Sequence, residues 1–237
     1  MRTYRSAEKL SVAAVVEDHT HDMIGGWAVH STADWCIASL RKTLPIPEGG
    51  MLWSPKGLPL PDPPEQSAQN EEIATIRWGA MKHKAAYLAG EAVEKEAFRK
   101  GFVGTEEFFV TAPICALDKT SLAYLKSFNI REWYERKREN WSILKDIKKD
   151  GVSVLCPEDK DCYPFSLVLL FDSPEEREKV RKELIAHQVY PTILWNIPVQ
   201  ANDEIVKFSR KMLSIHCDAR YMKDEILDMK CIIESII

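Results

Sequence analysis

Two clusters of reactive side chains stand near the start of the sequence. Asp18-His19-Thr20-His21-Asp22 follows one apolar run, and Ser39-Leu40-Arg41-Lys42 follows another. His-x-His at a strand end is a spacing that lets two imidazoles hold zinc, as in metal-dependent hydrolases built on barrels. Such a site needs more ligands from later strand ends. The remaining histidines are His30, His83, His187 and His216, and the C-terminal half does not continue a βα barrel, so metal hydrolysis is not expected. Ser39-x-x-Lys42 has the pattern of penicillin-recognising acyl enzymes. Those enzymes also need Ser-Asp-Asn and Lys-Thr-Gly elements, and neither tripeptide occurs here. Their serine opens a helix, whereas Pro45 and Pro47 follow this one. The six cysteines, Cys36, Cys115, Cys156, Cys162, Cys217 and Cys231, form no CxxC pair. Cys156 and Cys162 alone cannot close a zinc site. No metal is expected, and the thiols read as reduced core residues.

The elements that must position these residues show in the hydrophobic pattern. Leu10–Asp18 is a short continuous apolar run ending in two acids, as in a strand buried on both faces. Ala33–Ser39 reads as a second buried strand. Seven of the 13 prolines fall between Pro45 and Pro64, which makes that segment an extended loop. A helix begins near Asn70, with Ile73, Ile76, Ala80, Met81, Lys84 and Leu88 as one face. Asp118–Lys149 reads as helical with a break near Asn129; its apolar face is Leu122, Leu125, Trp133, Trp141 and Leu144, and Gly151 stops it. Strands then follow at Val152–Cys156, Phe165–Phe171, Val189–Trp195 and Met212–His216. Ser173-Pro174-Glu175-Glu176 opens a helix to about His187, and Met222–Ile236 closes the chain as an amphipathic helix. The fold class is α/β: the end of a larger, mainly parallel domain over residues 1–115, then a small α+β domain over residues 116–237.

Composition narrows the function. The chain has 237 residues, 45% apolar and 29% charged, enough to bury a core. Lys plus Arg is 32 against 36 for Asp plus Glu, a net charge of −4. That balance removes the electrostatic reason to propose a nucleic-acid partner. No apolar run reaches the roughly 20 residues of a membrane span, and no secretion signal opens the chain. A soluble, cytoplasmic protein is the expectation.

Taken together, the two clusters carry a resemblance. Val15-Val16-Glu17-Asp18-His19-Thr20-His21, followed by Ile37-Ala38-Ser39-Leu40-Arg41-Lys42 and Pro45-Ile46-Pro47-Glu48-Gly49-Gly50, resembles the pyridoxal-phosphate aminotransferases of fold type I. The branch it looks like is the DegT/DnrJ/EryC1/StrS group, which includes amino-sugar transaminases. Arg138-Glu139-Asn140-Trp141, Val189–Trp195 and Cys217-Asp218-Ala219-Arg220-Tyr221 extend the likeness from about residue 10 to the C terminus. The resemblance implies Lys42 as the Schiff-base lysine and Asp18 as the carboxylate against the pyridinium nitrogen, which keeps the ring an electron sink. It places His21 beside the ring oxygen, Ser39 on the cofactor phosphate and Arg220 near the substrate. The implied reaction moves an amino group from an amino acid to a keto substrate, such as a nucleotide-linked keto-sugar, in a homodimer. The same lysine and aspartate also serve other pyridoxal-phosphate reactions.

The chain departs from that family in its first residues. Members carry a long segment before the strand that ends in the aspartate, and it supplies the turn and helix N-terminus that cradle the phosphate. Here only about ten residues precede the strand. The expectation is therefore the C-terminal part of such an enzyme, active or kept as a non-catalytic scaffold. With part of its sheet missing, such a chain is expected to be aggregation-prone or obligately oligomeric.

Overall fold

The computed structural model describes residues 14–157, 160–194, 197–198 and 200–237. Among them, residues 14–23 and 28–128 form one compact unit, and residues 24–27 and 129–237 form the other. The break falls between Phe128 and Asn129, later than the one expected at 115/116. Hydrogen bonds explain the delay: Ala116 N donates to Glu65 O at 2.9 Å and Asp118 N to Glu48 Oε1 at 2.8 Å, tying the segment to the first unit.

The first unit holds β1 (Val16–Asp18), β2 (Trp35–Ser39) and β3 (Gly50–Trp53), then α2 (Ala68–Leu88), α3 (Lys95–Glu106), α4 (Phe108–Thr111) and α5 (Lys119–Ser127). The short α1 (Gly26–Val29) lies between β1 and β2 in the chain. The sheet order is β1-β2-β3. β1 and β2 are parallel, with Asp18 opposite Ile37, while β2 and β3 are antiparallel. The sheet is thus mixed rather than mainly parallel, and β3 lies inside the proline-rich segment read as loop. A 3₁₀ turn at Leu40–Lys42 starts the return, and Leu40 N donates to Gly49 O at 2.9 Å. That connection is too short for the crossover a parallel strand needs. Gly49 makes the turn possible. Its φ is +109°, and a Cβ there would come within 2.8 Å of Leu117 Cδ1.

Burial also differs from the expected strands. β1 is exposed at both ends, and β2 alternates, with Cys36 and Ala38 buried but Ile37 41% exposed. Residues 10–13 of the expected first strand lie outside the described residues. On α2 the buried face is Asn70, Ala74, Arg77 and Ala80, while Ile76 and Leu88 face outward. Polar anchors turned that helix: Arg77 donates to Pro47 O at 3.1 Å and Thr105 Oγ1 at 2.9 Å. Leu122 of α5 is likewise exposed, so the expected apolar face holds only farther along, at Trp141 and Leu144.

The second unit holds α6 (Ile130–Leu144), β4 (Val152–Leu155), β5 (Ser166–Phe171), α7 (Pro174–Ala186), α8 (Asp203–Lys211), β6 (Met212–His216) and α9 (Lys223–Ile236). Its sheet is antiparallel throughout, in the order β4-β5-β6. Leu167, Leu169 and Phe171 alternate along β5 and pack with Leu144, Leu184, Ile226 and Ile233 from the helices. Asn129 caps α6 through Glu132 N, and Ser173 caps α7 through Glu176 N. The predicted break near Asn129 and the start at Ser173 are therefore cap chemistry. Val189–Leu194 makes one bridge, Thr192 to Ser214, in place of a strand. Gln188 turns the chain at φ 63°, and Pro191 has no N–H to give a ladder; Trp195 lies outside the described residues. Gly151, at φ +81°, opens the turn into β4 rather than ending a helix, since α6 stops at Leu144.

Glu48, in the segment after Lys42, is buried against Asp118 at the start of α5. Its Oε1 accepts from Asn70 Nδ2 at 2.9 Å and Asp118 N at 2.8 Å. Burial, and then the facing Asp118 carboxyl, push its pKa above the ordinary glutamate value. A raised carboxyl stabilises the fold below its unfolded pKa and loses that contribution as pH rises through the folded one. Glu48→Gln, which keeps the acceptor oxygen, should flatten the fall in unfolding midpoint above about pH 4.5. An unchanged pH profile by thermal denaturation would remove Glu48 from this role.

Candidate active site

The parallel pairing of β1 with β2 brings the two sequence clusters to one place. Both strands run out at the same sheet edge, where ligands of open α/β sheets bind. Asp18 is opposite Ile37, and Ser39 is two residues farther along β2, so Asp18 and Ser39 share a face as well as an edge. Lys42 follows at the end of the 3₁₀ turn. It is exposed, and among the described residues it enters no hydrogen bond or ion pair.

Thr20 locks the arrangement, and sequence reasoning missed it. Its Oγ1 accepts from Ser39 N at 2.9 Å, and its own N donates to Asp18 Oδ1 at 2.9 Å. The Asp18 carboxyl is held below the ordinary aspartate range, first by the Thr20 hydroxyl and then by its amide, with His21 adding favourable charge against a desolvation cost. Asp18 is therefore an ionised carboxylate at a strand end. The signal was available in the sequence: Asp-x-Thr after a strand is an Asx-turn pattern. His21 is half-buried and lies close enough to Asp18 for charge coupling.

His19 belongs elsewhere. It is buried on the opposite face, with Nε2 3.1 Å from Glu17 Oε2 and its ring centroid 5.5 Å from that of Trp53. Burial, against the pull of Glu17, lowers its pKa and keeps it neutral. The His-x-His pair thus splits across a turn, rather than forming one face. Arg220 is in the second compact unit, on the segment before α9. Its Nε and Nη2 donate to Asp218 Oδ1 and Oδ2 at 2.9 and 3.0 Å, a bidentate pair with its own neighbour. The structure gives it a local ion pair.

Known structures share this fold. No protein-family model matches the chain, and no curated protein matches it by sequence. A structure described as a sugar aminotransferase of Streptococcus pneumoniae, in its PMP form, superposes with a TM-score of 0.56 at 14% identity, covering 94% of this chain and 60% of that one. A DegT DnrJ EryC1 StrS aminotransferase of Brucella abortus gives 0.52 at 10%, covering 94% and 57%. DesI, solved with its TDP-sugar product, gives 0.53 at 14%, covering 94% and 55%. The chain has the fold of sugar aminotransferases of the DegT/DnrJ/EryC1/StrS type, and spans less than two thirds of their length. At such identities the likeness carries the fold alone.

Replacing Thr20 with Val removes the hydroxyl and should raise the Asp18 pKa toward the ordinary value, while Thr20→Ser should retain most of the depression. Carboxyl carbon shifts followed by NMR against pH decide this. The sign for stability is fixed: a depressed carboxyl contributes above its unfolded pKa and is lost as pH falls through the folded one. An Asp18 that titrates identically in all three proteins contradicts the lock.

Proposed function

We propose that this chain carries the lysine-bearing part of a pyridoxal-phosphate aminotransferase site, acting on an amino-acid donor and a keto acceptor. The observation that carries this reading is the shared sheet edge of Asp18 and Ser39, with the exposed, unpaired Lys42 one turn beyond. The fold shared with sugar aminotransferases supports it, and the TDP-sugar in one of those structures favours a nucleotide-linked keto-sugar as acceptor.

The residues present fit the ring end of the cofactor. A pyridine nitrogen needs an anionic partner, and Thr20 keeps Asp18 anionic. The linkage lysine must be unengaged, and Lys42 is. When bound, the cofactor supplies an electron sink for charge developing at the amino-bearing carbon. Asp18 would hold the proton on the ring nitrogen. The Nζ of Lys42 would take and return the proton at the reacting carbon. Ser39 would donate to the phosphate and His21 would flank the ring oxygen, while a substrate role for Arg220 rests on the resemblance alone. Among the described residues no helix is long and apolar enough to cross a membrane. The reading includes cytoplasmic action as a homodimer. The apolar side chains Val16 (57% exposed), Ile37 (41%) and Leu52 (38%), on the sheet face they share with Asp18, support association.

The alternative reading is a non-catalytic scaffold that keeps the fold; the chain spans 55–60% of the length of the solved enzymes named above. Amino transfer from a panel of amino acids to keto acids and a nucleotide-linked keto-sugar separates the two. With added pyridoxal phosphate the wild type should transfer. Lys42→Ala should lose about 10²–10⁴-fold with unchanged circular dichroism, and Asp18→Asn should slow transfer while retaining cofactor. Transfer undiminished in Lys42→Ala refutes the reading; a folded wild type that never transfers favours the scaffold.

A further inference from the structure

The reverse face of the same sheet carries a second set of reactive side chains. Glu17 on β1 is opposite Cys36 on β2, and His19 is two residues beyond Glu17, so all three point away from the face of Asp18 and Ser39. One ligand atom from each lies within 4.8 Å of the others. His19 Nε2 is 3.1 Å from Glu17 Oε2. Ser31 Oγ joins them, 2.6 Å from Glu17 Oε2 and 3.3 Å from Cys36 Sγ. His19 is 1% exposed and Cys36 is 0% exposed. The Trp53 ring, 5.5 Å from His19, lies beside the cluster.

We propose that Glu17, His19 and Cys36 form a binding site for a divalent transition metal of the zinc class, with Ser31 or water in the fourth position. The donor set argues for that class. Imidazole nitrogen, thiolate sulfur and one carboxylate oxygen suit zinc and its neighbours, whereas calcium and magnesium take oxygen ligands. Spacing agrees: tetrahedral zinc with bonds of about 2.0–2.3 Å needs donors roughly 3.3–3.8 Å apart. The His19–Glu17 pair is already near that separation, and the Cys36 thiol, within 4.8 Å of both donors, would have to close the remaining gap on binding. On binding, the Cys36 S–H bond breaks, a metal–sulfur bond forms and the proton leaves to solvent; no electron changes hands. The bound ion would clamp the edge strand β1 to β2 directly behind Asp18 and Ser39. The sequence expectation of no metal looked to His19 and His21 together. The fold separates those two and supplies Glu17 and Cys36 instead.

The test uses the full chain, stripped with EDTA and titrated with zinc or cobalt(II). The expected result is one metal per chain, a thiolate-to-cobalt charge-transfer band, and a raised unfolding midpoint that EDTA reverses. Cys36→Ser should lose the band, Glu17→Gln should bind at least about tenfold more weakly, and Ser31→Ala should weaken binding by about 10–100-fold if it supports the ligands. Should Cys36→Ser fail to fold, His19→Gln takes its place and must lose tight binding. A folded chain that takes up no stoichiometric metal, or a cobalt band that persists in Cys36→Ser, overturns the proposal. None of these readouts depends on amino transfer or on pyridoxal phosphate.

Discussion

The parallel register of β1 and β2 is the constraint on which the candidate site depends. It sets Asp18 against Ile37 and sends both chains out at one edge. Neither cluster means much alone, because an aspartate after a strand is ordinarily a turn residue and a lone lysine a surface charge. Registered side by side, they give a carboxylate, a hydroxyl and an amine on one rim. Thr20 then fixes the geometry by bonding both strands. Since side chains alternate along a strand, the same register also fixes the reverse face, where Glu17, His19 and Cys36 meet. A slip of β1 by one residue would put Asp18 on the face of Cys36 and Glu17 and His19 on the face of Ser39, breaking both sets.

The return from β2 to β3 makes that rim compact. Gly49 allows the turn that a Cβ would obstruct, and Glu48 anchors it to Asn70 and the start of α5. Lys42 is thereby held on a short turn between two strands and not on a free loop. The second unit is built by different means. Its antiparallel sheet packs Leu167, Leu169 and Leu213 against helices whose starts are capped by Asn129 and Ser173.

Elements with local chemistry were legible from sequence. Ser173-Pro174-Glu175-Glu176 states a helix start outright, and alternation at Leu167, Leu169 and Phe171 states a strand. Elements decided by partners were not. The hydrophobic stepping along α2 pointed to Ile76 and Leu88, but Arg77 and Asn70 found buried acceptors and turned the helix. β3 hid among prolines because its pairing depends on Gly49 rather than on β-propensity. In the site, the resemblance pointed to Asp18, Ser39 and Lys42 and an Asp-x-Thr pattern pointed to Thr20, while Glu17 and Cys36 acquire meaning only once the register is known. Arg220, carried over by likeness, pairs with its neighbour Asp218 in the second unit.

The proposed reading has Lys42 as the residue that joins pyridoxal phosphate. It is tested most directly by mixing the purified chain with the cofactor, recording its visible absorption, reducing with borohydride and mapping the labelled peptide. The account predicts a band that borohydride discharges, with the cofactor mass on the peptide carrying Lys42 and on no other lysine. Label scattered over surface lysines, or a folded chain with no band, would contradict it.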